Sequence, residues 1–156
     1  MVVALACYLS QTSDMPEDKV LFQKFDENEA DLSEMVSMVR EDKTAVITSL
    51  STPEKTKLPA QRLKKYKALM SKCGIEAIFG SDPLEVYLSV MFATTPGKKR
   101  GLEKGYLCAR RFPTSSRLLN QLNDYTPQYS YSRMGIRDVC EREDGVWFIY
   151  LRPYAR

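Results

Sequence analysis

The chain predicts an α+β fold: a single compact domain in which a mixed or largely antiparallel sheet packs against two or three helices and ends in a C-terminal β-hairpin. Three observations carry this expectation. Apolar residues step by three and four through 27–41 and again through 60–72, the period of a helix buried along one side. Runs rich in β-branched and aromatic residues at 44–50, 75–79 and 146–151 have strand lengths and are bounded by turn formers. Near the end of the chain, Asp144-Gly145 separates two apolar runs, the pairing that favours a tight hairpin. With 156 residues, 44% hydrophobic and 28% charged, the chain is long enough to bury a core without disulfide or metal staples.

The elements follow in order. Val2 to Leu9 is the longest apolar run; with no basic residue before it and only eight residues, it reads as a buried first strand rather than a signal peptide or membrane span. Gln11 to Lys19, which contains Pro16, reads as a loop, and Val20, Leu21, Phe22 and Phe25 as a short strand or turn. A helix is expected over 27–41, with Ala30, Leu32, Met35, Val36, Met38 and Val39 on its inner side. Glu27, Glu29, Asp31 and Glu34 crowd its first turns, where negative charge suits the helix dipole. Thr44 to Leu50 reads as an interior strand, and Ser51-Thr52-Pro53-Glu54 as a turn or a single helical turn. The second helix runs over 60–72, with Leu63, Tyr66, Leu69, Met70 and Cys73 along one side and Gly74 as its stop. Ile75 to Phe79 is a short strand. Over 84–93 strand and helix patterns compete, and the β-favouring Val86, Tyr87, Val90 and Phe92 decide for strand, with Val86, Leu88, Val90 and Phe92 alternating onto one face. After the loop 94–101, residues 105–110 resume as a strand, a helix capped by Thr114 or Ser115 is expected to about Asn123, and the final hairpin pairs 139–142 with 146–151. Trp147, Ile149 and Leu151 alternate with Phe148 and Tyr150, so the last strand is either covered on both faces or offers one to a partner.

The charge is sharply ordered along the chain. Residues 1–42 carry ten acids and three bases, 43–111 carry five acids and fourteen bases, and the remainder adds only +1 to an overall +3. Such a reversal speaks of partners: opposed patches suited to an oppositely charged macromolecule, to head-to-tail self-association, or to each other. The basic residues fall in segments 62–72 and 98–111. The candidate macromolecule-binding set is Arg62, Lys64, Lys65, Lys67, Lys98, Lys99, Arg100, Lys104, Arg110 and Arg111, provided that the fold brings them together on the surface. Tyr106 and Phe112 interleave with the second segment, and Tyr129 and Tyr131 accompany Arg133 and Arg137, an arrangement open to base stacking as well as to ordinary core packing.

Chemistry has less to work with. Histidine is absent, which removes Ser-His-Asp and Cys-His catalysis, histidine-ligated metals and the usual general base near neutral pH. Cys7, Cys73, Cys108 and Cys140 lie 66, 35 and 32 residues apart, without knuckle or CxxC spacing, and read as reduced thiols of a cytoplasmic or nuclear protein. Two residual candidates are the carboxylates Asp138, Glu141, Glu143 and Asp144, and Cys108 with cations close in sequence; both read first as structural. No cofactor, metal or catalytic set is expected. The reading is a non-enzymatic accessory or regulatory protein that binds an acidic protein surface or, alternatively, RNA or DNA, without membrane insertion; a histidine-independent enzyme using carboxylate or cysteine chemistry is the third reading. In its length and lack of linkers the chain resembles many viral or host-interaction accessory proteins, with no residue set that matches a family.

Overall fold

A computed structural model describes residues 15–82, 84–94, 100–111, 113, 116–118, 122 and 134–155. Among these residues three helices and seven strands follow in the order α1 (Asp18–Asp42), β1 (Val46–Thr48), α2 (Pro53–Thr56), α3 (Ala60–Cys73), β2 (Ala77–Asp82), β3 (Glu85–Thr94), β4 (Arg100–Ala109), β5 (Ser116–Leu118), β6 (Met134–Arg142) and β7 (Gly145–Ala155). The strands form one sheet in the order β1-β2-β3-β4-β7-β6-β5, antiparallel throughout except for the parallel β5–β6 pair. This is the α+β architecture the sequence implies.

Helix α1 starts earlier than its strongest periodicity suggests. Asp18, Leu21 and Phe25 continue the buried stripe of Leu32, Met35, Val36 and Val39 backwards at steps of three and four, so 20–25 is helix rather than strand or turn. Pro16 limits the start and Lys43, at φ 50°, ends it in the left-handed region. Phe25 is the main anchor on the sheet, with its ring centroid 5.8 Å from Tyr106 of β4 and 5.2 Å from Trp147 of β7. Helix α3 matches its expected span, and Gly74, at φ 67°, caps it by donating its N–H to the Met70 carbonyl. The single turn of α2 forms with Pro53 at its start.

The helices cover one face of the sheet, where Ile78, Leu88, Leu102, Tyr106, Trp147 and Ile149 are buried. The opposite face is buried over its centre as well, through Tyr87, Leu107, Met134, Ile136, Phe148 and Tyr150. Strand β7 is therefore covered twice. The hairpin closes through Glu143-Asp144, with Arg142 opposite Gly145 and Gly145 at φ 144°.

Several expectations are corrected. The run at 44–50 supplies only a three-residue edge strand, not an interior one. Residues 116–118 are a short strand parallel to β6, not the start of a helix. A register shift between Ser89 and Met91 breaks the alternation of β3, so Val86 and Leu88 point to the helices while Phe92 turns to the other face opposite Glu103. The first strand at 2–9, the loop residues 95–99 and the tyrosines of 125–131 lie outside the described residues. No helix of the described residues is long and apolar enough to cross a membrane.

Candidate binding groove

Among the described residues several members of the basic set are paired or buried. Arg62 pairs with Glu41 at 2.7 Å and Asp42 at 2.8 Å, Lys65 pairs with Glu34, and Lys72 with Asp31. The acidic helix and the basic helix thus lie antiparallel and neutralise each other, the internal version of the charge reversal. Asp42 also accepts the Tyr66 hydroxyl at 2.8 Å, and burial together with that bond pushes the phenol well above its ordinary range. On α3 Lys64 is exposed and Lys67 half-buried, and Arg110 and Arg111 are exposed just beyond the end of β4. Lys98 and Lys99 lie outside the described residues, and Arg100 is placed only as the first residue of β4.

Lys104 is a correction to the surface set, because its side chain is 0% exposed. Its Nζ donates to Asp18 Oδ1 and to the Pro16 carbonyl, each at 2.7 Å. Asp18 also accepts from the Leu122 N–H at 2.9 Å and from Arg137 at 3.2 Å. Burial pushes the Asp18 carboxyl up, but those donors and the Lys104 charge outweigh it and leave it below its ordinary value. Burial also takes Lys104 below the usual lysine range against the opposing pull of Asp18. With three donors on the carboxylate, Asp18 is the better-satisfied partner. Tyr106 is equally unavailable for stacking bases, being buried with its hydroxyl donating to the Leu21 carbonyl at 2.8 Å.

The residue before Lys104 does the same on the other face. Glu103, 1% exposed, accepts from Ser89, Tyr150 and Arg152, the last at 3.0 and 3.2 Å through Nε and Nη2. Arg152 lies 4.1 Å from the centroid of the Tyr87 ring and 5.7 Å from that of Phe79, so it is held by charge and aromatic faces together. Burial, then the Glu103 charge, keeps the Tyr150 phenol well above its ordinary value. Both Glu103 oxygens and the Ser89 and Tyr150 hydroxyls are partnered within this cluster, so it braces the sheet.

The chemical candidates disperse. Asp138, Glu141 and Glu143 are exposed, while Asp144 turns inward and accepts the Trp147 indole N–H at 3.1 Å. Among the described residues no three acidic or cysteine side chains are grouped to hold a metal ion. The cation nearest Cys108 is Arg40 of α1, with Nη2 3.7 Å from the sulfur, and not the exposed Arg110 or Arg111. Burial nevertheless pushes that thiol up to about 12, and Cys73 up to about 11, which suppresses the nucleophilic thiolate.

Among the described residues a groove of about 570 Å³ lies at the β1 edge, lined by Thr48, Ser49, Ile75, Glu76, Ala77, Phe79 and Phe92. Thr48, Ala77 and Phe79 share the helix-free face because β1 and β2 pair Val46 with Phe79 and Thr48 with Ala77. Phe92 reaches the same face only through the β3 irregularity and meets Phe79 edge to face at 6.2 Å. Beside the groove stand two large apolar side chains in water, Val46 at 46% and Leu50 at 81% exposure. The Gly80 N–H bonds to the Ala45 carbonyl, so antiparallel alternation turns the main-chain groups of Val46 and Thr48 outward. Those of Thr48 are taken by Ser51, whose Oγ accepts its N–H at 2.9 Å and whose N–H donates to its carbonyl at 3.1 Å. The sequence signals Val46 and Leu50 only as members of a β run and assigns Phe92 to the wrong face, so alternation alone does not disclose the groove. No protein-family model, curated protein or solved structure matches the chain.

Proposed function

We propose that the protein is a non-enzymatic accessory protein that binds another protein, and that the groove at the β1 edge receives an extended segment of that partner. The observation that carries this reading is the exposure of Leu50 and Val46 beside a groove containing Phe79 and Phe92. Apolar side chains left in water at an open sheet edge gain about 25 cal/mol per Å² when a partner covers them. Raised cysteine thiols and the mutual pairing of Asp18 with Lys104 and of Glu103 with Arg152 favour binding over catalysis. The exposed Lys64 and the half-buried Lys67 on α3 are placed to steer an acidic region of the same partner.

Peptide display against the folded protein tests the reading, with a Val46→Asp/Leu50→Asp variant as control. Both positions are exposed, so the variant keeps its circular dichroism and melting midpoint. Selected peptides are expected to bind the wild type at least tenfold more tightly than the variant. Peptides that bind both equally would place the contact elsewhere. A single-stranded oligonucleotide that binds with a steep salt dependence, lost on Lys64→Glu/Lys67→Glu, would favour nucleic acid instead.

A further inference from the structure

We propose that the segment taken by the groove is basic and extended: an apolar side chain seats against Phe79 and Phe92, and a lysine or arginine within two residues of it pairs with Glu76. This deepens the binding reading above and rests on it. Glu76 is exposed, lines the groove and joins no ion pair with a described residue. Arg152, the cation behind Phe79, is neutralised by Glu103. The groove therefore combines an aromatic wall with one uncompensated carboxylate, which complements an apolar side chain close to a cation and repels one flanked by acids. Thr48 and Ser49 add hydroxyls for the segment's main chain. Within the described strand β1, Val46 offers outward main-chain groups while Ser51 occupies those of Thr48, so the segment pairs with β1 at one residue and side chains must supply the selectivity.

Two labelled peptides of alternating pattern provide the test, Lys-Val-Lys-Phe-Lys-Val and Glu-Val-Glu-Phe-Glu-Val, with fluorescence anisotropy for affinity and amide chemical shifts of Thr48, Ser49 and Ala77 for location. The basic peptide is expected to bind at least tenfold more tightly at low salt and to shift those amides. Glu76→Gln should remove most of the preference, and Glu76→Lys should invert it. Equal binding of both peptides at the groove, or a preference that survives Glu76→Gln and Glu76→Lys, would overturn the inference and leave the binding reading intact. If neither peptide moves the Thr48, Ser49 or Ala77 amides, both fail.

Discussion

Adjacent residues on β4, Glu103 and Lys104, point to opposite faces, and each is buried against an opposite charge. Removing one member of such a pair costs about 3–5 kcal/mol because the other is left dehydrated and uncompensated. Lys104→Met is expected to cost about 3 kcal/mol, the low end of that range, because Leu122 and Arg137 still donate to Asp18, and Asp18→Leu/Lys104→Met should recover only part of the loss, since it leaves the buried Leu122 N–H without its acceptor; denaturant unfolding of the full cycle measures the coupling. The pH dependence has a definite sign. The Asp18 carboxyl titrates lower in the fold than in the unfolded chain, so its contribution is complete above the unfolded value of about 3.9 and fades as pH falls through the lower folded value. Asp18→Asn should therefore flatten the acid limb of the stability profile below about pH 4. Gly105, in the same strand, is closely hemmed: a Cβ there would lie 2.2 Å from the Leu88 carbonyl oxygen. Gly105→Ala should destabilise by about 3 kcal/mol, since the obstruction is β3 main chain and not a side chain that can swing away. In the sequence Lys104 precedes the strand expected at 105–110 and reads as part of a basic surface patch. Only the packing of Asp18 from 86 residues away shows Lys104 to be interior.

At the level of the elements, α1 and α3 meet through apolar stripes and through the charges that flank them. Arg62 contributes to Asp42 and Glu41 at once and lies over the Tyr66 ring at 5.9 Å. Arg62→Glu loses both pairs and adds repulsion, for an expected cost of about 1–2 kcal/mol, while Lys64→Glu on the solvent side of the same helix should cost almost nothing. Thermal unfolding of the two variants at low and high salt distinguishes them, because screening should shrink only the first difference. Helix α3 and the final hairpin were legible because period, cap and turn residues agree there, whereas the strand at 84–93 rested on the β preference of its residues alone, since its helix and strand periods compete. The start of α1 was not, because contiguous Val20, Leu21 and Phe22 hide a stripe whose spacing emerges only when Asp18 is counted among the buried positions. The groove was equally hidden, since the face of Phe92 depends on one irregular residue in β3.

For the whole molecule, position in the sheet and double coverage determine where stability resides. Strands β4 and β7 each lie between two neighbours and bury side chains on both faces, whereas β1 is a three-residue edge beside the groove. Local opening therefore becomes progressively easier from the centre towards β1, which keeps the proposed binding edge adaptable without loosening the core. Native-state hydrogen exchange should show this gradient. The amides of Tyr106, Leu107, Phe148 and Ile149 are expected to exchange slowest, near the rate set by global unfolding, and those of β2 faster. Within β1 the alternation itself should appear: Ile47, buried and turned towards β2, is expected to be protected, and Val46, turned outward, to exchange almost freely. Equal protection at Val46 and Ile47 would mean that the outer edge of β1 is already occupied, and an extended partner segment would then have to displace whatever holds it.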